Sequence, residues 1–287
     1  MAVPKLPPRD LRPLVCRYKP CTQNGNWFED RYRKDDCVRD FLRRRERGEL
    51  MIQKADAIIS QLLAPVRLLP AVDGNIWIGD SIQLRCPGVV WAAGGRCNQV
   101  PEVALSANVF DIARACPTQL TSPTAVCASL RLEPCARNVF TVTRPDGSVS
   151  REVLRYGQPF SLRLQDGYPA GLYLTSEPPT AYCVPPNEAR QQAVQLTQCR
   201  APAGRWVAHL LENSHRMEAE GSPVPAGSPL LVCHQPSGQT LRLEAGHPVT
   251  SLLSHEWEVT AHATTDSRRR PLPENRWCLS ALPLGAA

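Results

Sequence analysis

Apolar residues keep two different periods along this chain, and the change falls near residue 70. In ELMIQKADAIISQLLAP, Ile52, Ala55, Ile59, Leu62 and Leu63 follow the i, i+3, i+4, i+7 spacing of one helix face, and Pro65 stops the helix. Upstream, DDCVRDFLRRRERG reads as a helix opened by Asp35 or Asp36, with Val38, Phe41 and Leu42 on one face and Gly48 at its end. From residue 72 onward, short apolar alternations bounded by Gly, Pro, Asp and Asn replace the helical pattern, which is strand-and-turn composition.

Three of these alternations align on a glycine: NIWIGDSIQLRC on Gly79, VLRYGQPFSLRL on Gly157 and PVPAGSPLLVCH on Gly227. Three residues earlier stand Ile76, Leu154 and Val224; three later, Ile82, Phe160 and Leu230; five later, Leu84, Leu162 and Val232. The later two positions keep the period of a strand with one buried face, and the glycine fits a tight turn feeding that strand. Each copy also reads as having an aromatic-x-apolar strand: Phe140 with Val142, Trp206 with Ala208, and Trp257 with Val259, with Trp277 and Leu279 as a closing strand. GLYLTSE (171–177) and TLRLEAG (240–246) match as a further strand, with Ser237-Gly238 at a hairpin tip.

Three copies of one several-strand unit predict threefold pseudo-symmetry. The expected fold is mainly β: a β-trefoil-like (MIR-type) body with a short α-helical N-terminal segment. Its parts are a flexible or partner-ordered tail over 1–26, a helical segment over 27–65, and a β-trefoil-like domain over 72–282. Residues 87–135 read as an insertion in the first copy.

Composition adds constraints. Proline stands at 28 of 287 residues, about double ordinary usage, so long helices are expected to be few. No run approaches the roughly 18 apolar residues of a spanning helix, and MAVPKLPPRDLRP lacks the apolar stretch of a secretory signal. The 12 cysteines are then expected to be reduced thiols in the cytosol. The net charge of +6 is concentrated near the start: residues 1–64 hold 14 Lys and Arg against 9 Asp and Glu. A basic arm on a near-neutral body points to an acidic partner. The Arg excess, 29 against 4 Lys, is equally open to a codon-usage explanation.

The candidate chemistry is sparse. There is no phosphate loop, no GxGxxG after a strand and no G-x-S-x-G. His209 and His215 are too far apart to share a helix face as metal ligands, and Cys16 and Cys21 have no second close pair to complete a zinc set. Cys86, Cys233 and Cys278 occupy strand positions, where cysteine acts as a small hydrophobe. The residues left as a candidate partner interface are the aromatic pair Trp27 and Phe28, the run Arg43, Arg44, Arg45 and Arg47, and the loop run Arg268, Arg269 and Arg270. For the first run, a solvated helix face with i, i+4 ion pairs is the plain alternative.

These segments, taken in order, resemble one family. NGNWFED (24–30), DFLRRRERGELMIQ (40–53), DGNIWIGDSIQL (73–84), ARNVFTV (136–142), VLRYGQPFSLRL (153–164), GLYLTSE (171–177), PVPAGSPLLVCHQPSGQTLRLE (223–244), EWEVTAHATTDS (256–267) and ENRWCLS (274–280) together look like the cilia- and flagella-associated protein 161 family. The resemblance covers roughly 24–280. Residues 1–23 and the Cys-containing part of 87–135 depart from it.

The resemblance implies a non-enzymatic protein of motile cilia and flagella, without cofactor or metal. It would be a microtubule inner protein in the A-tubule lumen of axonemal doublets. Its partners would be α/β-tubulin and other microtubule inner proteins, with no nucleic acid, no membrane and no small-molecule substrate. Two other readings stand beside it: a cytosolic β-trefoil binding a small ligand such as a sugar, and a basic nucleic-acid adaptor using the 1–54 arm.

Overall fold

A residue without Cβ ends the first helix. In the computed structural model, described over residues 27–68, 71–93, 96–108, 122–164, 171–179, 187–198, 202–251, 253 and 255–281, helix α1 spans Trp27–Glu46 and α2 spans Met51–Leu62. Gly48 takes a left-handed backbone (φ 69°), and the Glu49 amide donates to the Arg44 carbonyl at 2.8 Å. This cap closes the last turn of α1 at little steric cost because the residue is glycine. The sequence places the start of this helix at Asp35 or Asp36, whereas it begins at Trp27. The polar stretch WFEDRYRK has no apolar stripe to reveal the period, but it also contains no Gly or Pro to interrupt a helix. The tail expected over 1–26 lies outside the described residues.

The chain divides into two compact units, residues 1–53 and 54–287. In the second, α2 buries Ile58 and Leu62, with Ile59 partly buried; Ile52, expected on the same stripe, is 74% exposed. After α2 the chain is pinned beside the segment preceding the sixth strand: the Arg137 amide donates to the Leu62 carbonyl and the Ala136 amide to the Ala64 carbonyl.

The strands follow in order. They are β1 (Ser81–Cys86), β2 (Val89–Ala93), β3 (Arg96–Val100), β4 (Val103–Ala107), β5 (Thr124–Ser129), β6 (Phe140–Thr143) and β7 (Pro159–Leu164). Next are β8 (Tyr173–Ser176), β9 (Gln192–Thr197), β10 (Trp206–Leu210), the single turn α3 (Arg216–Ala219), β11 (Pro229–His234), β12 (Leu241–Thr250), β13 (His255–Ala261) and β14 (Trp277–Ser280).

Six strands pair in a closed antiparallel cycle, β1–β6–β7–β10–β11–β14 and back to β1. Closure leaves these strands without a free edge to template association. Three further hairpins, β4–β5, β8–β9 and β12–β13, form a second tier in which β5, β9 and β13 all pair with one another. The body is thus mainly β, preceded by a helical segment.

The aligned glycines organise this arrangement. Gly79, Gly157 and Gly227 all have positive φ, at 107°, 81° and 73°. Their amides donate to the carbonyls of Val142 (2.7 Å), Ala208 (3.1 Å) and Leu279 (2.8 Å). Three residues earlier the backbone closes a ring of hydrogen bonds. The Ile76 amide donates to Val224, the Val224 amide to Leu154, and the Leu154 amide to Ile76, at 2.9, 2.9 and 2.8 Å. All nine apolar positions aligned on the glycines have no exposed surface. Full burial of one branched or aromatic side chain contributes about 1.5–3 kcal/mol, so the repeat is also the core.

One strand assignment is corrected. The third aromatic-x-apolar strand is Trp277–Leu279, not Trp257–Val259. Leu230 stands opposite Trp277 as Ile82 stands opposite Phe140 and Phe160 opposite Trp206. The indole N–H of Trp277 donates to Leu241 O at 3.0 Å, matching Trp206 to Leu174 O at 2.8 Å. Trp257 lies instead on the second-tier strand β13, opposite Ala128. Residues 87–135, read as an insertion, also hold the β4–β5 hairpin, the first-copy counterpart of β8–β9 and β12–β13; among the described residues the two-stranded ribbon β2–β3 has no counterpart in the other copies.

Candidate functional site

Helix α1 carries most of the expected interface residues. Trp27 and Phe28 open it, and their side chains lie outside the described part. Along one side Val38, Phe41 and Leu42 are exposed, at 56%, 50% and 37%. Arg43, Arg44 and Arg45 fill the last turn and Arg47 follows, all exposed. Arg44 pairs with Asp40 at 2.7 Å and Arg39 approaches Asp36 at 3.7 Å; such exposed i, i+4 and i, i+3 pairs contribute about 0.3–0.5 kcal/mol. Arg43, Arg45 and Arg47 have no carboxylate partner among the described residues. The helix therefore presents apolar side chains beside uncompensated guanidinium groups.

Arg268, Arg269 and Arg270 sit far from α1 in sequence, on a tight turn between Thr264 and Leu272. Asp266 Oδ1 accepts from the amides of Arg268 and Arg270 at 2.8 and 2.7 Å, and its own amide donates to Arg270 O at 2.9 Å. Arg269 is left-handed at φ 60°, a conformation that a non-glycine residue holds only when its surroundings fix it. Across from the turn, Asn213 Nδ2 donates to Arg269 O at 3.0 Å. Between them lies a surface pocket of about 500 Å³ lined by the three arginines, Arg276, Glu212 and Asn213 among others. Arg276 was missed by sequence reasoning. The available signal was its place beside Trp277: alternation points Trp277 into the core and its neighbour away from it.

The polar groups inside the body are structural. Arg137 and Glu256 form a fully buried ion pair at 2.5 Å, and Cys127 Sγ donates to the other carboxylate oxygen at 2.9 Å. Burial, then the Glu256 charge, pushes the Cys127 thiol well above its ordinary value. Burial likewise pushes Cys86 up to about 12. Neither is a ready nucleophile, because the thiolate is the reactive form. His234 is fully buried, with Nε2 3.0 Å from Ala203 O and Nδ1 2.7 Å from Ser237 Oγ. The first contact needs a proton on Nε2, and Gln192 Nε2, a donor only, lies 3.2 Å from Nδ1 and needs a lone pair there, which is the neutral ring; burial also lowers its pKa.

Among the described residues, no group of three or more His, Cys, Asp or Glu is placed to hold a metal ion, and no helix is long and apolar enough to cross a membrane.

Fold and surface together define a mainly β protein whose pronounced surface features are a basic, partly apolar helix and an arginine-lined pocket. The profile of the Cilia- and flagella-associated protein 161-like domain matches residues 54–282. The chain is 30% identical over 272 residues to Cilia- and flagella-associated protein 161 of Danio rerio, covering 93% of this chain and 88% of that protein. It is 31% identical over 269 residues to the Bos taurus protein of the same name, covering 91% and 81%. The chain belongs to the cilia- and flagella-associated protein 161 family. Among solved structures, the SDF2-like protein from Arabidopsis thaliana aligns with a TM-score of 0.48 at 12% identity, over 74% of this chain and 99% of that one. A Caenorhabditis elegans protein of unknown function aligns with a TM-score of 0.46 at 12% identity, over 74% and 98%.

Proposed function

We propose that this chain is a non-enzymatic structural protein of cilia and flagella: a microtubule inner protein in the A-tubule lumen of axonemal doublets, bracing the doublet through contacts with tubulin and other inner proteins. Family membership supports the ciliary setting, and the family resemblance supports the lumenal position. We further propose that the body is a β-trefoil of the MIR type, a reading supported by the six-strand cycle, the three mutually paired hairpins and the threefold hydrogen-bond ring.

The single observation that carries the bracing role is the surface of α1. Exposed Val38, Phe41 and Leu42 lie beside Arg43, Arg45 and Arg47, which lack carboxylate partners among the described residues. Apolar anchors with arginine at their margin are what protein interfaces concentrate. An acidic wall such as tubulin would supply the missing counter-charge. Trp27 and Phe28, on the first turn of the same helix, are the further anchors of this reading. Many copies along one filament let modest contacts add through multivalency.

The test is retention of variants on demembranated axonemes. Arg43→Gln/Arg45→Gln/Arg47→Gln and Trp27→Ala/Phe28→Ala are each expected to release the protein at lower salt than the parent, with unchanged circular dichroism. Retention equal to the parent in both variants would remove α1 from the interface.

A further inference from the structure

We infer that the pocket under the Arg268–Arg270 turn is a docking site for an acidic, Asp/Glu-rich segment of a neighbouring protein. The inference rests on the bracing reading only in taking a protein as the occupant; the site itself is argued from its own geometry.

Three features make it a built site. The turn backbone that carries the arginines is held: Asp266 Oδ1 accepts two of the three backbone amides, the Thr265–Pro271 bridge closes the turn, and Asn213 ties the turn to the facing segment. Four arginines line the pocket, Arg268, Arg269, Arg270 and Arg276, against one lining residue with a carboxylate. That carboxylate, Glu212, is already engaged by His215 Nδ1 at 2.9 Å. Arg276 Nε is shielded from solvent and has no acceptor among the described residues. A shielded donor without an acceptor is costly, so the Arg276 side chain gains by turning toward an incoming carboxylate.

The occupant's class follows from size and chemistry. About 500 Å³ is room for two or three side chains rather than for one inorganic anion. Planar guanidinium groups match carboxylates in paired, charge-assisted hydrogen bonds. The described lining contains no aromatic side chain on which a base could stack, which disfavours a single-stranded nucleic acid. Acidic side chains spaced along a peptide fit both the charge and the volume.

The test uses the full-length chain and a fluorescein-labelled hexaglutamate peptide, read by anisotropy at low and moderate salt. Binding is expected, weakening as salt rises. Arg268→Gln/Arg270→Gln should lose about tenfold in affinity, while Arg43→Gln/Arg45→Gln/Arg47→Gln stays within about twofold of the parent. Single Arg276→Gln should also weaken binding, and unfolding midpoints equal to the parent show which variants remain folded. Four outcomes would each overturn the site: no hexaglutamate binding, undiminished binding by the folded turn variant, loss in the α1 variant instead, or displacement of the peptide by a dT20 oligonucleotide at lower concentration than by unlabelled hexaglutamate. A chain that stays on axonemes yet ignores hexaglutamate loses this site and keeps its bracing role.

Discussion

Arg137 and Glu256 stand 119 residues apart in sequence and 2.5 Å apart in space, both buried. Glu256 lies on β13 and Arg137 just before β6, and Cys127 of β5 holds the second carboxylate oxygen. One ionic cluster thus ties together the first and third copies of the repeat. A buried pair is weak evidence of net stabilisation, but removing one partner strands the other charge in the core. Glu256→Gln is expected to cost about 3–5 kcal/mol in urea unfolding. Arg137→Met/Glu256→Leu should cost less than the sum of the two single changes, and an additive double-mutant cycle would contradict the coupling.

The three organising glycines should differ in their tolerance of a side chain. Gly227 has φ 73° with nothing within 4 Å of a would-be Cβ, so Gly227→Ala meets only the left-handed backbone penalty of about 1–2 kcal/mol. At Gly157 an added Cβ would come within 2.9 Å of Glu220 Cγ, and at Gly79 within 2.8 Å of Val149 Cγ1. Alanine at either site should therefore lower the thermal midpoint further than Gly227→Ala. An equal drop at all three would show that backbone conformation alone sets the cost.

His234, His209 and His262 all have lowered pKa values, burial being the largest cause in each. The folded state holds these rings neutral while the unfolded chain protonates them near 6.5. Their contribution to stability is complete above that value and is lost as pH falls through it toward the lower folded pKa. Asp80 and Glu258 act in the opposite sense at lower pH, since burial raises their carboxyl pKa values. Stability should therefore fall from pH 7 to about pH 5.5, and His234→Gln should flatten that slope. A midpoint independent of pH over this range would contradict the assignment.

Thiol reactivity provides a further check. Cys37 is exposed on α1, whereas Cys86 and Cys127 are buried and held protonated. Iodoacetamide mapping by mass spectrometry at pH 7.5 should modify Cys37 in the folded chain, and should modify Cys86 and Cys127 only after denaturation. Early labelling of Cys127 would mean that the Glu256 cluster opens readily.

The repeat was legible in sequence wherever one segment carried the whole pattern. Gly79, Gly157 and Gly227, with apolar residues at fixed offsets, are a local signal that strand alternation and turn geometry impose directly. The third aromatic strand was misplaced because Trp257-x-Val259 and Trp277-x-Leu279 satisfy the same local pattern. Only register against Leu230 separates them, and pairing across some fifty residues leaves no mark on either segment. The Arg137–Glu256 contact is invisible for the same reason. Residues 87–135 looked like an insertion because β4 and β5 are buried runs without clean alternation, every β4 residue being buried. In the pocket, the Arg268–Arg270 run was plain, but Arg276 and the facing Asn213 join it only through the fold.

The central claim is that the chain is a structural component of the doublet itself. Fractionation of detergent-demembranated cilia tests it most directly, with the chain followed through stepwise salt until the tubules dissolve. The account predicts that it stays with the doublets through detergent and moderate salt and is released only with tubulin. Release with the membrane and matrix fraction, before any salt is added, would contradict it.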